Sequence, residues 1–232
     1  MDDWYVDQIG RTTCPRARHC LHVARAINLT AWLTWLRSQE LFSLDWPSVD
    51  QIPPHQGSTA GLPPGIGVLL FRLLPATKAD QTIMADVVVA WQTASGLCLV
   101  EALADLRLST LSLGLHPDGH LFRGPDNKSW TSTFYRHNLL IPLLHQQLLQ
   151  GDPTLQIYES LQQLLLKFYS MCSYHRGGCN HVSRRREGCV RAATPTEVYE
   201  HGRWKFTHAP DMPTHYREWD TTDRSTMTQL CM

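Results

Sequence analysis

Between Asp45 and Gly65 stand Pro47, Pro53, Pro54, Gly57, Gly61, Pro63 and Pro64. Helices and sheets do not tolerate that density, because proline lacks the amide hydrogen of either ladder and glycine leaves the backbone unrestrained. A loop is expected at 45–65, and regular structure must lie on either side of it. On the N-terminal side, Leu21, Ala24, Ile27, Leu29, Trp32, Leu33 and Leu36 recur mostly at spacings of three and four. That periodicity predicts a helix from about Pro15 to Glu40, with Thr13 or Cys14 as cap and Pro15 in the first turn. The β-branched Thr30 leaves open a division into two shorter helices.

After the loop come Ile66 to Leu74 and Ile83 to Trp91, two apolar runs. The second is β-branched and nearly uncharged, and reads as a buried strand; the first fits a strand or a short helix. Leu106, Leu108, Leu111 and Leu113 precede His116-Pro117-Asp118-Gly119, with Leu121-Phe122 beyond. A β-hairpin about the Pro-Asp-Gly turn is the economical reading. His-Pro-Asp is also the signature of co-chaperone J-domains, but the flanking basic helix of that family is missing. Further on, Phe134 to Leu149 carries a leucine stripe with Pro142 either kinking the helix or marking its true first turn. Gly151-Asp152-Pro153 has the chemistry of a left-handed stop, an N-cap and a first helical residue, opening a second helix with Ile157, Leu161, Leu164, Leu165 and Phe168 on one face.

Together these segments predict an α+β fold, mainly helical, with a small antiparallel sheet or hairpin in the middle and a leucine-rich helical pair in the C-terminal half. The 232 residues, 43% hydrophobic and 18% charged, suffice for one core of ordinary size or two small ones. A single domain over 1–206 and a poorly ordered tail over 207–232 are expected, the tail because proline, threonine and charge replace the apolar runs. Lysine plus arginine and aspartate plus glutamate each number 21, so the chain as a whole has no strong electrostatic pull toward nucleic acid or membrane. No run approaches the roughly 20 apolar residues of a membrane helix, and Met1-Asp2-Asp3 is unlike a secretory signal. An intracellular protein without stable membrane insertion is expected. The seven cysteines are odd in number and unevenly spread, which suits reduced thiols better than a disulfide framework.

The densest chemical cluster is Cys172, His175, Cys179 and His181, with Cys189 beyond. Thiolate and imidazole are ligands that tetrahedral zinc prefers, and Gly177-Gly178 would let one loop gather them, although the spacing matches no standard finger. The bland alternative is a reduced cysteine-rich loop; if zinc is bound, the ligand set is structural rather than catalytic. Arg184, Arg185 and Arg186 form a basic run suited to RNA phosphate or to a nuclear import signal, or simply to a solvated loop. A serine elbow, a cysteine nucleophile motif and paired helix carboxylates are all missing from the sequence, so no enzyme and no small-molecule substrate are expected. Leu62-Pro63-x-x-Ile66, closing at Pro75, is a proline-stiffened apolar segment that reads either as a short docking element or as the leader into a buried strand.

In order and kind, Leu62, Pro63, Ile66 and Pro75 resemble the minimal F-box-like element of the silencing suppressor encoded by the first reading frame of plant poleroviruses. The closing proline comes sooner here than that family's pattern usually allows. Downstream, Phe134-x-Arg136-x-Asn138, the stretch from Tyr158 to Cys172, and Arg191 through Val198-Tyr199 to Trp204 are loosely similar to the same family. The resemblance implies a viral suppressor of host RNA silencing that recruits a Skp-cullin ubiquitin ligase and directs Argonaute to degradation. Leu62 and Pro63 would then touch the host Skp-type adaptor, Ile66 would pack behind them, and the site of action would be the host cytoplasm, or the nucleus if the arginine run acts as an import signal. Separately, Ser160-Leu161-Gln162-Gln163-Leu164 resembles the elongin-docking helix of lentiviral infectivity factors, although the metal-like cluster follows that helix here instead of preceding it. The competing function is a zinc-stabilised RNA-binding or regulatory accessory protein using the Cys/His cluster and the arginine run.

Overall fold

The computed structural model describes residues 2–54, 67–73, 87–93 and 96–151, together with 165–166, 169–171, 173–174 and 177–178. Its elements are α1 (Asp2–Arg11), α2 (Pro15–Thr34), α3 (Ser38–Phe42), a 3-10 turn (Trp46–Ser48), β1 (Val49–Ile52), β2 (Val68–Phe71), β3 (Val87–Ala90), α4 (Leu99–Ser112), α5 (Ser132–Tyr135), a π-helical turn (Arg136–Leu140) and α6 (Ile141–Gly151). The fold is α+β, mainly helical, with one antiparallel sheet in strand order β1-β2-β3. The chain divides into two compact units, one built from 2–34 and 39–130, the other from 35–38 and the residues after 130.

In the larger unit α2 is the central element. It starts at Pro15 as expected and runs unbroken through Thr30 to Thr34, ending before the predicted limit of Glu40. Val23 through Ala31 are all buried, so neighbours surround the helix on every side and tertiary packing overrides the weak propensity of Thr30. α1, which the apolar pattern does not announce, carries Asp2 and Asp3 in its first turn and Arg11 in its last, the charge order a helix dipole favours. Its anchors are polar: Asn28 on α2 donates to the Tyr5 hydroxyl, and Arg25 bonds both carboxylate oxygens of Asp2 at 2.6 and 3.1 Å.

The sheet corrects the expected loop at 45–65, since the 3-10 turn and β1 occupy 46–52. Pro47 falls in the short turn, where its fixed φ is harmless, and Pro53-Pro54 follow the last β1 residue. β2 is the middle strand, with Val68, Leu69 and Phe71 buried, and β3 confirms the strand expected within Ile83–Trp91. Register pairs Leu70 with Asp50 and with Val88, so Leu69, Phe71, Val87 and Val89 share the core face while Val88 and Ala90 look outward.

The hairpin expected about Pro117-Asp118-Gly119 does not form. Residues 106–112 belong to α4, whose buried face is Leu99, Ala102, Leu103, Leu106 and Thr110. Leu108 and Leu111 lie on the outer face, 64% and 49% exposed, and their overlay on the buried series mimics a strand alternation. Gly114, at φ 71°, ends the helix: its amide donates to Leu111 O at 2.9 Å and that of Leu115 to Thr110 O at 3.1 Å, the Schellman arrangement that needs a left-handed residue. The loop that follows is pinned by its backbone, Trp46 donating to Gly119 O (2.9 Å) and Leu121 to Leu44 O (2.7 Å), while Leu121, Phe122 and Trp130 are buried and Phe122 meets Phe42 edge to face.

In the smaller unit Thr131 caps α5, its hydroxyl accepting from the Phe134 amide at 3.1 Å. Pro142 marks the first turn of α6, one of the two alternatives expected for it. It is the second residue of α6, directly after the π turn, where a proline that cannot donate to Asn138 O is compatible with the widened ladder. Leu140, Ile141, Leu144 and Leu148 form the buried stripe, confirming the first leucine-rich helix. Gly151 is the last helical residue instead of a left-handed stop, and the second predicted helix lies outside the described residues.

Candidate functional site

The docking positions Leu62, Pro63, Ile66 and Pro75, the candidate metal ligands Cys172, His175, Cys179, His181 and Cys189, and the arginines Arg184, Arg185 and Arg186 all lie outside the described residues, as does the 207–232 tail. Described residues nonetheless border both candidate regions. Immediately after Ile66, Gly67 is buried and its carbonyl accepts the Trp91 amide at 2.9 Å. The Trp91 indole donates from Nε1 to Val68 O at 2.9 Å, so the ring lies across the entrance to β2, and a Cβ on Gly67 would overlap it. Trp91 O in turn accepts the amide of Leu99, the first residue of α4. A glycine is therefore required at 67 for closeness, not for an unusual φ.

The same geometry settles the apolar run that opens there. Val68, Leu69 and Phe71 are core residues of a strand and Leu70 is half-buried, so they are not displayed as docking leucines. Arg72, just beyond β2, forms an exposed ion pair with Asp50.

Beside the cysteine-rich segment, Gly178 presses against the Trp35 side chain so closely that a Cβ would overlap the indole. Trp35 itself is 3% exposed and left-handed, with φ 49°, an unusual state for a bulky residue and one that persists only where packing over-determines it. Arg136 on the π turn donates to Tyr169 O at 2.8 Å within the same unit.

A third constellation escaped the motif search. On α2, His19, His22 and Arg25 follow at intervals of three residues and face Ser109, Asp105 and Glu101. His19 is bonded through Nδ1 to Ser109 Oγ and through Nε2 to Arg123 O, both at 3.0 Å. Burial pushes its imidazole below the ordinary value of 6.5, the Arg123 carbonyl opposing and the Arg123 charge adding to the shift. His22 is lowered by burial too, with Asp105 pulling the other way and His19, Arg25 and Arg18 repelling its proton. Arg25 is 3% exposed; burial works against its charge, but its hydrogen bonds to Asp2 and the charges of Asp2, Glu101 and Asp105 outweigh that cost and raise its affinity for the proton. Nearby, burial raises the Cys20 thiol, and Asp126 and Cys14 add to it. The signal in the sequence was the repeated spacing of three, which places His19, His22 and Arg25 along one edge of α2.

Among the described residues no group of three or more histidine, cysteine, aspartate or glutamate side chains is placed to hold a metal ion, and no helix is long and apolar enough to cross a membrane. The chain matches no family model, no curated protein and no solved structure.

Proposed function

We propose that this chain is a non-enzymatic viral adaptor that suppresses host RNA silencing, with Leu62, Pro63, Ile66 and Pro75 docking a host Skp-type adaptor so that a ubiquitin ligase reaches Argonaute. The observation that supports this reading is the clamp on Gly67. Gly67, the residue that follows this element, is fixed beneath the Trp91 indole at the entrance to the buried central strand, and an anchored neighbour lowers the entropy cost of docking. Because Val68, Leu69 and Phe71 are committed to the core, docking rests on Leu62 and Pro63 with Ile66 behind them. Affinity capture from plant extract tests this: the wild type should retain a Skp-type adaptor and Leu62→Ala/Pro63→Ala should lose it while silencing recovers. Unchanged suppression by the double variant would remove the ligase reading.

A second reading, structural zinc on Cys172, His175, Cys179, His181 and Cys189 beside the RNA-binding run Arg184 to Arg186, draws support from the tight footing of Gly178 on Trp35. One zinc per chain, lost together with RNA affinity in Cys179→Ser, is the outcome it requires.

A further inference from the structure

We infer that Asp118-Gly119 is a site of spontaneous backbone isomerisation, at which aspartate passes through a succinimide to isoaspartate. The product is a substrate for S-adenosylmethionine-dependent carboxyl methyltransferases of the isoaspartyl class. In the whole chain this is the one aspartate or asparagine followed by glycine. Ring closure brings the amide nitrogen after the aspartate onto its side-chain carbon, and a side chain on that next residue obstructs the approach, so glycine is the most permissive successor. The fold leaves both reacting groups free. Asp118 lies in the irregular segment after α4, its side chain 84% exposed, and its carboxylate stands 3.9 Å from Arg123 Nη2, too far for a hydrogen bond. Gly119 is left-handed at φ 78° with open space where a Cβ would stand, and its amide donates to no acceptor among the described residues. What the structure holds here are the flanking carbonyls, His116 O by the Arg123 guanidinium and Gly119 O by the Trp46 amide at 2.9 Å.

The other described aspartates lack this combination. Asp7 and Asp105 lie within helices and Asp50 within β1. The amides that follow Asp45 and Asp126 are committed, Trp46 to Gly119 O and Asn127 to Gly124 O, each at 2.9 Å. Asp2 and Asp3 open α1 and are followed by Asp3 and Trp4, which carry side chains. At 118 the chemistry consumes nothing but water. Gly119 N attacks Cγ of Asp118; the amide gives up its proton and the carboxyl its hydroxyl, and the two leave together as water. The imide then takes one water back. Attack at Cγ breaks the new bond and restores aspartate, whereas attack at the Asp118 main-chain carbonyl breaks the original peptide bond. The chain then runs through Cβ and Cγ, and the former main-chain carbon becomes a free carboxylate on an exposed loop. That carboxylate is the group the methyltransferase esterifies, its methyl coming from the sulfonium of S-adenosylmethionine.

Ageing the full chain in warm neutral buffer tests this. Isoaspartyl methyltransferase with labelled S-adenosylmethionine counts the product, and fragmentation mass spectrometry locates it. Isoaspartate should accumulate at 118 ahead of every other described aspartate. Asp118→Glu, whose closure needs a larger ring, should lose the label at 118, and Asp118→Asn, which expels ammonia instead of water, should gain it faster. At a site this exposed both variants keep the fold. The same chain unfolded in urea supplies the reference for a residue without tertiary restraint. A native chain that stays unlabelled at 118 while the unfolded chain acquires isoaspartate there overturns the inference, as does labelling that persists undiminished in Asp118→Glu.

Discussion

The α2–α4 seam and the three-stranded sheet are both buried, but different chemistry holds them. The seam is a file of polar pairs, His19 with Ser109 and Arg25 with Asp105 and Asp2, set between apolar contacts. The sheet holds itself with Leu69, Phe71, Val87 and Val89 and closes one end with an indole laid over a glycine. Polar pairs specify register and answer to pH and charge, whereas apolar packing answers to volume and is indifferent to protons. A docking element is better displayed from the second kind of footing, because its geometry does not change with ionic conditions.

The largest expected effect lies in the seam. Arg25→Ala leaves Asp2 and Asp105 facing each other without their cation, and should destabilise the fold by about 3–5 kcal/mol in urea denaturation, as breaking a buried pair does. A loss below about 1 kcal/mol would mean that the seam is wetter than its burial implies. In the sheet, Gly67→Ala forces the Trp91 ring off Val68 O and should cost about 1–3 kcal/mol, the range for overpacking, with a change in tryptophan emission. Ligase capture should weaken in the same variant if the clamp positions Leu62 and Pro63.

A smaller effect separates the two regions by pH. Because burial holds His19 and His22 below 6.5, the unfolded chain binds more protons just under that pH, so stability is complete above 6.5 and declines as the pH falls toward the folded-state values. Denaturation midpoints at pH 7.5 and 5.5 should differ in the wild type, and the difference should shrink in His19→Gln while persisting in Gly67→Ala. The smallest effect belongs to the outer face of α4: Leu108→Gln, at a site 64% exposed, should move stability by no more than about 0.5 kcal/mol and leave the pH dependence intact.

Much of the local structure was legible in advance. Pro15 marked the start of α2, the β-branched run 87–90 was a strand, and the leucine stripe of α6 was a helix. The α4 segment was misread because the buried Leu106 and the exposed Leu108 and Leu111 fall close together and imitate alternation. The docking and metal candidates were found by motif, whereas the seam went unseen because its members come from α2, α4 and a loop some ninety to a hundred residues away along the chain.

What the amino-acid order determined by itself is what depends on neighbours within a few residues: the helix start at Pro15, the strand at 87–90 and the leucine-rich helix that ends in α6. Tertiary structure alone decided which leucines of α4 face inward, that Gly67 lies beneath Trp91, and that Arg25 is buried among three carboxylates. Those outcomes turn on burial and on charges brought together from distant parts of the chain, and desolvation acts on a side chain only once the fold has removed the water around it.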